Sequence, residues 1–180
     1  MGGGQHLPYD AEVEYLESTG TQYLNPSISY WADFEIVCNL RTNSSNVTLF
    51  CGNNNRLERD SAANPYWKFR SSSGMYTSTV LITEKHTLTW RKGIISVDGI
   101  AVKNLNKPYQ TGSLYISGFP STQYPCIFYR IKFYDSADTL VRDFIPVRVG
   151  QVGYLYDRVS GQLFGNAGTG AFVVGPDVNN

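Results

Sequence analysis

Apolar and polar positions alternate with a period of two along most of this chain, the pattern of half-buried β-strands. The clearest case is His86–Lys103. Leu88 and Trp90 point one way, and Thr87, Thr89 and Arg91 the other. Lys92-Gly93 then offers a turn, Ile94–Val97 a second strand and Asp98-Gly99 a hairpin turn, before Ile100–Val102 returns as a third strand. Asp-Gly between β-branched runs marks a hairpin because both central residues of a type I′ turn need positive φ. The result is an antiparallel meander whose apolar face needs further strands to cover it.

The rest of the chain supplies candidates. Val13, Tyr15 and Tyr23-Leu24 fit an edge strand. Ala32–Arg41 predicts a strand with Phe34, Ile36, Cys38 and Leu40 on one face, and Val47–Cys51 its partner across the polar turn Thr42–Asn46. Arg56–Pro65 is expected to be loop, followed by strands at Tyr66–Arg70 and Met75–Leu81. Ser113–Gly118 predicts a strand and Phe119–Pro125 a loop. Cys126–Tyr134 is a long strand in which Ile127, Tyr129, Ile131 and Phe133 should share a face opposite Phe128, Arg130, Lys132 and Tyr134. Leu140–Val149 is extended, and two short strands flank Ser160-Gly161 ahead of the glycine-rich Gly165–Gly170. No stretch has helical period over an ordinary helix length. Some dozen strands with turn signals between them predict an all-β fold, a two-sheet antiparallel jelly-roll sandwich in a single domain.

Composition narrows the function. The 180 residues carry 15 basic and 15 acidic side chains, so the long-range attraction that nucleic acid or an anionic membrane would use is absent. No window approaches 18 apolar residues, which removes a spanning helix. Residues 1–8 form a glycine-rich leader without an apolar signal core, 9–175 the sandwich and 176–180 a tail. The three cysteines, Cys38, Cys51 and Cys126, lack metal-type spacing and are expected as small buried hydrophobes, although Cys38 and Cys51 sit on strands predicted to be neighbours. Asn43 and Asn46 head glycosylation sequons, which matter only on a eukaryotic secretory route.

His86-Thr87-Leu88, the turn at Lys92-Gly93, Val97-Asp98-Gly99 and the strand Tyr129–Asp135 followed by a turn and Leu140 resemble the concanavalin A-like lectin/glucanase (LamG-type) jelly roll. Two stretches, Glu14–Tyr23 and Leu140–Gly175, resemble domains of gut bacterial surface proteins and of their phages and prophages. The resemblance implies the fold. It leaves open a lectin, an adhesion module, a virion structural protein and a glycoside hydrolase.

Residue chemistry weighs these classes. Sandwich glucanases of this superfamily carry a tight E-x-D-x-x-E cluster, and hydrolysis needs two carboxyls about 5–10 Å apart. Here Glu12, Glu14 and Glu17 come nearest, and Asp33 and Glu35 share a strand face without a third acid. The expectation is therefore no enzyme. Gly165–Gly170 lacks the lysine and following helix of a phosphate loop, so turn formation explains it better. Calcium, if any, has two weak ligand sets, Asn53-Asn54-Asn55 with Asp60 and Asp135 with Asp138; Asx turns explain the same residues, and no cofactor is expected. Sugar recognition rests on aromatic faces that stack on C–H surfaces beside amides and guanidiniums. The candidate ligand-binding residues are Tyr66, Trp67, Tyr76, Tyr109 and Tyr124 with Asn54 and Arg56; Arg70 and Trp31 are further candidates. The alternative is that these rings cap the core.

The expected function is a non-catalytic adhesion or carbohydrate-binding module of a phage virion or gut bacterial surface. Its partners would be glycans or host polysaccharide and the proteins of a virion or surface assembly, with no nucleic acid or membrane and with homo-oligomers possible. The alternative from another class is a virion decoration, fibre or tail protein acting through protein contacts alone.

Overall fold

The computed structural model describes residues 6–30, 33–39, 48–52, 55–60, 63–71, 74–82, 84–105 and 112–179, with backbone only at 48–52 and 55. Leu40, Thr42–Asn46, Trp31, Asn53, Asn54 and Tyr109 lie outside them. Among the described residues there is no helix. The strands are β1 (Ala11–Glu12), β2 (Leu16–Thr19), β3 (Asp33–Asn39), β4 (Thr48–Gly52), β5 (Asn55–Arg59), β6 (Tyr66–Ser71), β7 (Gly74–Leu81), β8 (His86–Arg91) and β9 (Ile94–Val97). They continue as β10 (Ile100–Asn104), β11 (Tyr115–Ile116), β12 (Gly118–Phe119), β13 (Thr122–Gln123), β14 (Pro125–Tyr134), β15 (Leu140–Val149), β16 (Val152–Asp157), β17 (Gln162–Phe164) and β18 (Val173–Val174).

The large sheet runs β10-β9-β8-β3-β14-β15-β16-β17, and the smaller one runs β11-β4-β5-β6-β7. Each pairing is antiparallel, as in β3 with β8 and β5 with β6. Strand β14 has two partners along one edge: β15 pairs with its C-terminal half and β2 with its N-terminal half. The predicted meander is β8-β9-β10, and Lys92, Gly93, Asp98 and Gly99 all take positive φ, as two successive type I′ turns require.

The inward rows meet in one core. Phe34, Ile36 and Cys38 of β3, Leu88 and Trp90 of β8 and Phe128, Ile131 and Phe133 of β14 are buried from the large sheet. Leu57 of β5 and Trp67 and Phe69 of β6 are buried from the small one. The two layers touch edge to face: the Phe69 and Trp90 ring centres are 6.2 Å apart and those of Trp67 and His86 6.1 Å. The protein is thus an all-β antiparallel sandwich.

Several expectations are corrected. Val47–Cys51 does not pair with the preceding strand: β4 belongs to the small sheet and β3 to the large one. Cys38 and Cys51 therefore sit in different sheets, and Cys38 and Cys126 are buried thiols without a disulfide. The predicted loop Arg56–Pro65 begins with strand β5, and the predicted loop Phe119–Pro125 contains the β12–β13 hairpin. Finally, β14 does not alternate cleanly. Against β3 its register jumps from Phe128↔Cys38 to Arg130↔Val37, so Tyr129 is an extra residue in a β-bulge. Phe128 goes into the core in place of Tyr129.

Candidate functional site

The bulge shapes a cleft on the surface of the described residues. On the outer face of the large sheet the register aligns Thr87 of β8, Val37 of β3 and Arg130 of β14 in one row. The extra residue sets Tyr129 beside Arg130, the kind of re-aiming that bulges provide near binding sites. Glu14 and Lys85 close the ends, and these six residues line a cleft of about 590 Å³. That volume lies within the range of small-ligand clefts, roughly 300–1,000 Å³.

Each polar side chain in the cleft is held differently. Lys85 Nζ lies 4.4 Å from the centre of the Tyr129 ring, and Tyr15 meets the same ring edge-on at 5.8 Å. Arg130 is clamped by Asp143: Nε donates to Oδ1 at 3.1 Å and Nη2 to Oδ2 at 3.0 Å. That bond and the charge of Asp143 push the guanidinium pKa further up. Asp143 is itself positioned by Asp157, fully buried, which accepts the Asp143 backbone N–H at 2.9 Å and the Ser160 hydroxyl at 2.7 Å. The fork of Arg130 is therefore fixed before any ligand arrives, with Nη1 outside the clamp. In the next row Lys132 Nζ donates to Glu35 Oε1 at 2.9 Å.

Among the described residues, none of the aromatics singled out from sequence lines this cleft. Trp67 is a correction: on strand β6 it is fully buried, its ring meeting His86 of the other sheet edge to face, with no face for a ligand. Arg56 also lies on a strand, and its guanidinium covers the Phe119 ring at 5.3 Å. Tyr76 and Tyr124 pack their rings on the core, and Tyr66 is half-buried at the start of β6. Asn54 and Tyr109 fall outside the described residues. Alternation assigns Tyr129 inward, and nothing in its neighbours announces a bulge.

The other chemical candidates have structural partners. Asp33 accepts the Lys92 backbone N–H at 2.7 Å, and Glu35 holds Lys132. Asp135 accepts the N–H groups of Ala137 and Thr139, both at 2.9 Å, an Asx turn. Asp138 pairs with Arg91 and, at 2.8 Å, with Lys92. Asp60 pairs with Lys68. Among the described residues no three His, Cys, Asp or Glu side chains gather closely enough to share a metal ion. His86 is a packing and turn residue: Nδ1 lies 2.9 Å from Asp98 Oδ2, while the other Asp98 oxygen accepts the Thr87 N–H at 2.9 Å. Burial pulls the Asp98 carboxyl up, but these two hydrogen bonds outweigh it and hold the group below its ordinary value. In Gly165–Gly170, Asn166 Oδ1 accepts from Gly168 N at 2.8 Å and Nδ2 donates to Gly170 O at 3.0 Å, which is turn chemistry.

Fold and surface together define an antiparallel β-sandwich with a bulge-built cleft on its outer face. Comparison with models of protein families, with curated proteins and with solved structures finds no match in any of the three.

Proposed function

We propose that this chain is a non-catalytic carbohydrate-binding module of the concanavalin A-like kind, taking a glycan across Tyr129 and Arg130. One observation carries the reading: the bulge puts an aromatic ring next to a guanidinium already fixed by Asp143, in an open cleft with Glu14, Lys85 and Thr87 around it. The ring offers its face to sugar C–H groups, while the guanidinium, carboxylate and hydroxyl serve the sugar hydroxyls. Lys85 is exposed and swings off the ring at the cost of one cation–π contact, about 0.5–1 kcal/mol at such a site. Because Asp143 neutralises Arg130, each contact is weak, and useful adhesion comes from many copies. The resemblance of Glu14–Tyr23 and Leu140–Gly175 to surface and virion domains supports that setting.

The test is a glycan array probed with tetramerised protein. Binding should fall by about tenfold or more in Tyr129→Ala and Arg130→Gln, equivalent to about 1.4 kcal/mol. Tyr66→Ala should leave it unchanged. A wild-type protein that binds no glycan, or a Tyr129→Ala variant that binds equally well, refutes the proposal. The second reading, a virion or surface assembly protein, is favoured by the outer strand β10 of the large sheet, where Ile100 is 70% exposed. It requires a concentration-dependent oligomer in light scattering that Ile100→Lys abolishes.

A further inference from the structure

The outer face of the small sheet carries a charge arrangement that the cleft does not use. Leu57, Trp67 and Phe69 point inward, which turns Arg56, Glu58, Lys68 and Arg70 outward. The register sets Glu58 opposite Lys68, an attractive pair, and Arg56 opposite Arg70, two like-charged residues on neighbouring strands. Three cations here meet two carboxylates, Glu58 and Asp60. Lys68 takes Asp60. Arg70 Nη2 lies 3.1 Å from Glu58 Oε1, close enough for an ion pair but off the line of a hydrogen bond, since that oxygen has no hydrogen-bond donor. Arg56 has no carboxylate among the described residues and rests on the Phe119 ring. The Nε–H groups of both arginines are shut off from water and make no hydrogen bond.

Two arginines paired in register are costly unless an anion joins them. Directly paired residues of an antiparallel ladder have Cβ atoms about 4.5–5.5 Å apart, so a single group of oxygens reaches both side chains. The planar fork of arginine suits carboxylate, sulfate or phosphate oxygens better than water. We propose that Arg56 and Arg70 form an oxyanion site, with Phe119 holding Arg56 in place, for a sulfate ester or carboxylate borne on an acidic polysaccharide. The anion cancels the repulsion, and its oxygens accept from the Nη groups at the exposed ends of the two side chains, not from the enclosed Nε–H groups. This site lies on the opposite sheet from the cleft, and its failure leaves the cleft proposal standing.

The probes are dextran sulfate, uncharged dextran and inorganic sulfate, titrated calorimetrically at low salt against the whole chain. Dextran sulfate should bind, and its affinity should drop about tenfold in Arg56→Gln and in Arg70→Gln but not in Lys103→Gln, a basic residue exposed on β10. Arg56→Lys, which keeps the charge and loses the fork, should also weaken binding. The melting temperature of Arg56→Gln in low salt should match or exceed that of the wild type, because the substitution removes one of the two like charges. Protection of the wild type by inorganic sulfate, lost in Arg56→Gln, assigns the site to the oxyanion itself; response to dextran sulfate alone assigns it to the polymer-borne group. The proposal is overturned if the wild type binds no dextran sulfate, if Arg56→Gln binds it undiminished, or if Lys103→Gln loses as much as the arginine variants.

Discussion

The contact between Phe69 and Trp90 gives a direct measure of whether the two sheets face each other. The two residues come from different sheets, are fully buried, and meet edge to face at 6.2 Å with their planes 79° apart. Truncating Phe69 to Ala should cost about 3–5 kcal/mol, as for other buried aromatics. In a chain of this size 1 kcal/mol moves the melting temperature by about 2–4 °C, so the drop should be roughly 6–20 °C. A double-mutant cycle with Leu isolates the pair without risking wholesale unfolding. Phe69→Leu and Trp90→Leu should each cost about 1–3 kcal/mol. Their coupling should be about 0.5–1.5 kcal/mol, the worth of an edge-to-face pair beyond area burial. Phe144, which stacks on Phe133 and Phe164 instead, supplies the control cycle with Phe69, expected to be additive within about 0.5 kcal/mol. Urea unfolding followed by circular dichroism reads all the variants. If the Phe69/Trp90 cycle were as additive as the control, the two sheets would not share this core.

Other outcomes follow from the same coordinates. Gly118 has φ +112, and a Cβ there would lie 2.9 Å from Gln123 Cα, so Gly118→Ala should destabilise more than Gly99→Ala, where φ is +80 but nothing stands within 4 Å. Melting temperatures rank the two, with about 1–2 kcal/mol expected for Gly99→Ala from the backbone alone. Cys38 and Cys126 are fully buried, and burial pushes both thiols well up, so in a Cys51→Ser background a thiol reagent should react only at the rate of unfolding. Asp138 is held below the ordinary carboxylate range by hydrogen bonds from Lys92 and Arg91, and Asp177 by Arg148. Asp98 joins them through His86 and Thr87, against the pull of burial. A carboxyl depressed in the folded state stabilises above its unfolded value, near 4, and that contribution is lost as pH falls through the folded one. Melting temperature should therefore decline below about pH 4, and Asp98→Asn should flatten that decline; an equally steep fall in the variant would exclude the linkage.

Sequence alone determined the local structure wherever period and turn chemistry agreed. The meander from His86 onward is legible because Leu88 and Trp90 alternate with polar residues and Asp98-Gly99 dictates its turn, and Leu140–Val149 matches β15 residue for residue. Strand β5 was hidden because Asn55–Arg59 contains a single apolar side chain, Leu57, and one inward residue makes no visible period. Which strands become neighbours was decided only by tertiary structure: β3 and β4 are adjacent in the chain yet sit in different sheets, a choice made by burial of both inner faces at once. The same holds for the two proposed sites. Glu14, Val37, Lys85, Thr87, Tyr129 and Arg130 become one cleft through strand register and a bulge, and Arg56 meets Arg70 through register alone. Alternation tells each strand which side chains to bury; the closing of two sheets over one core decides which of the remaining ones stand side by side.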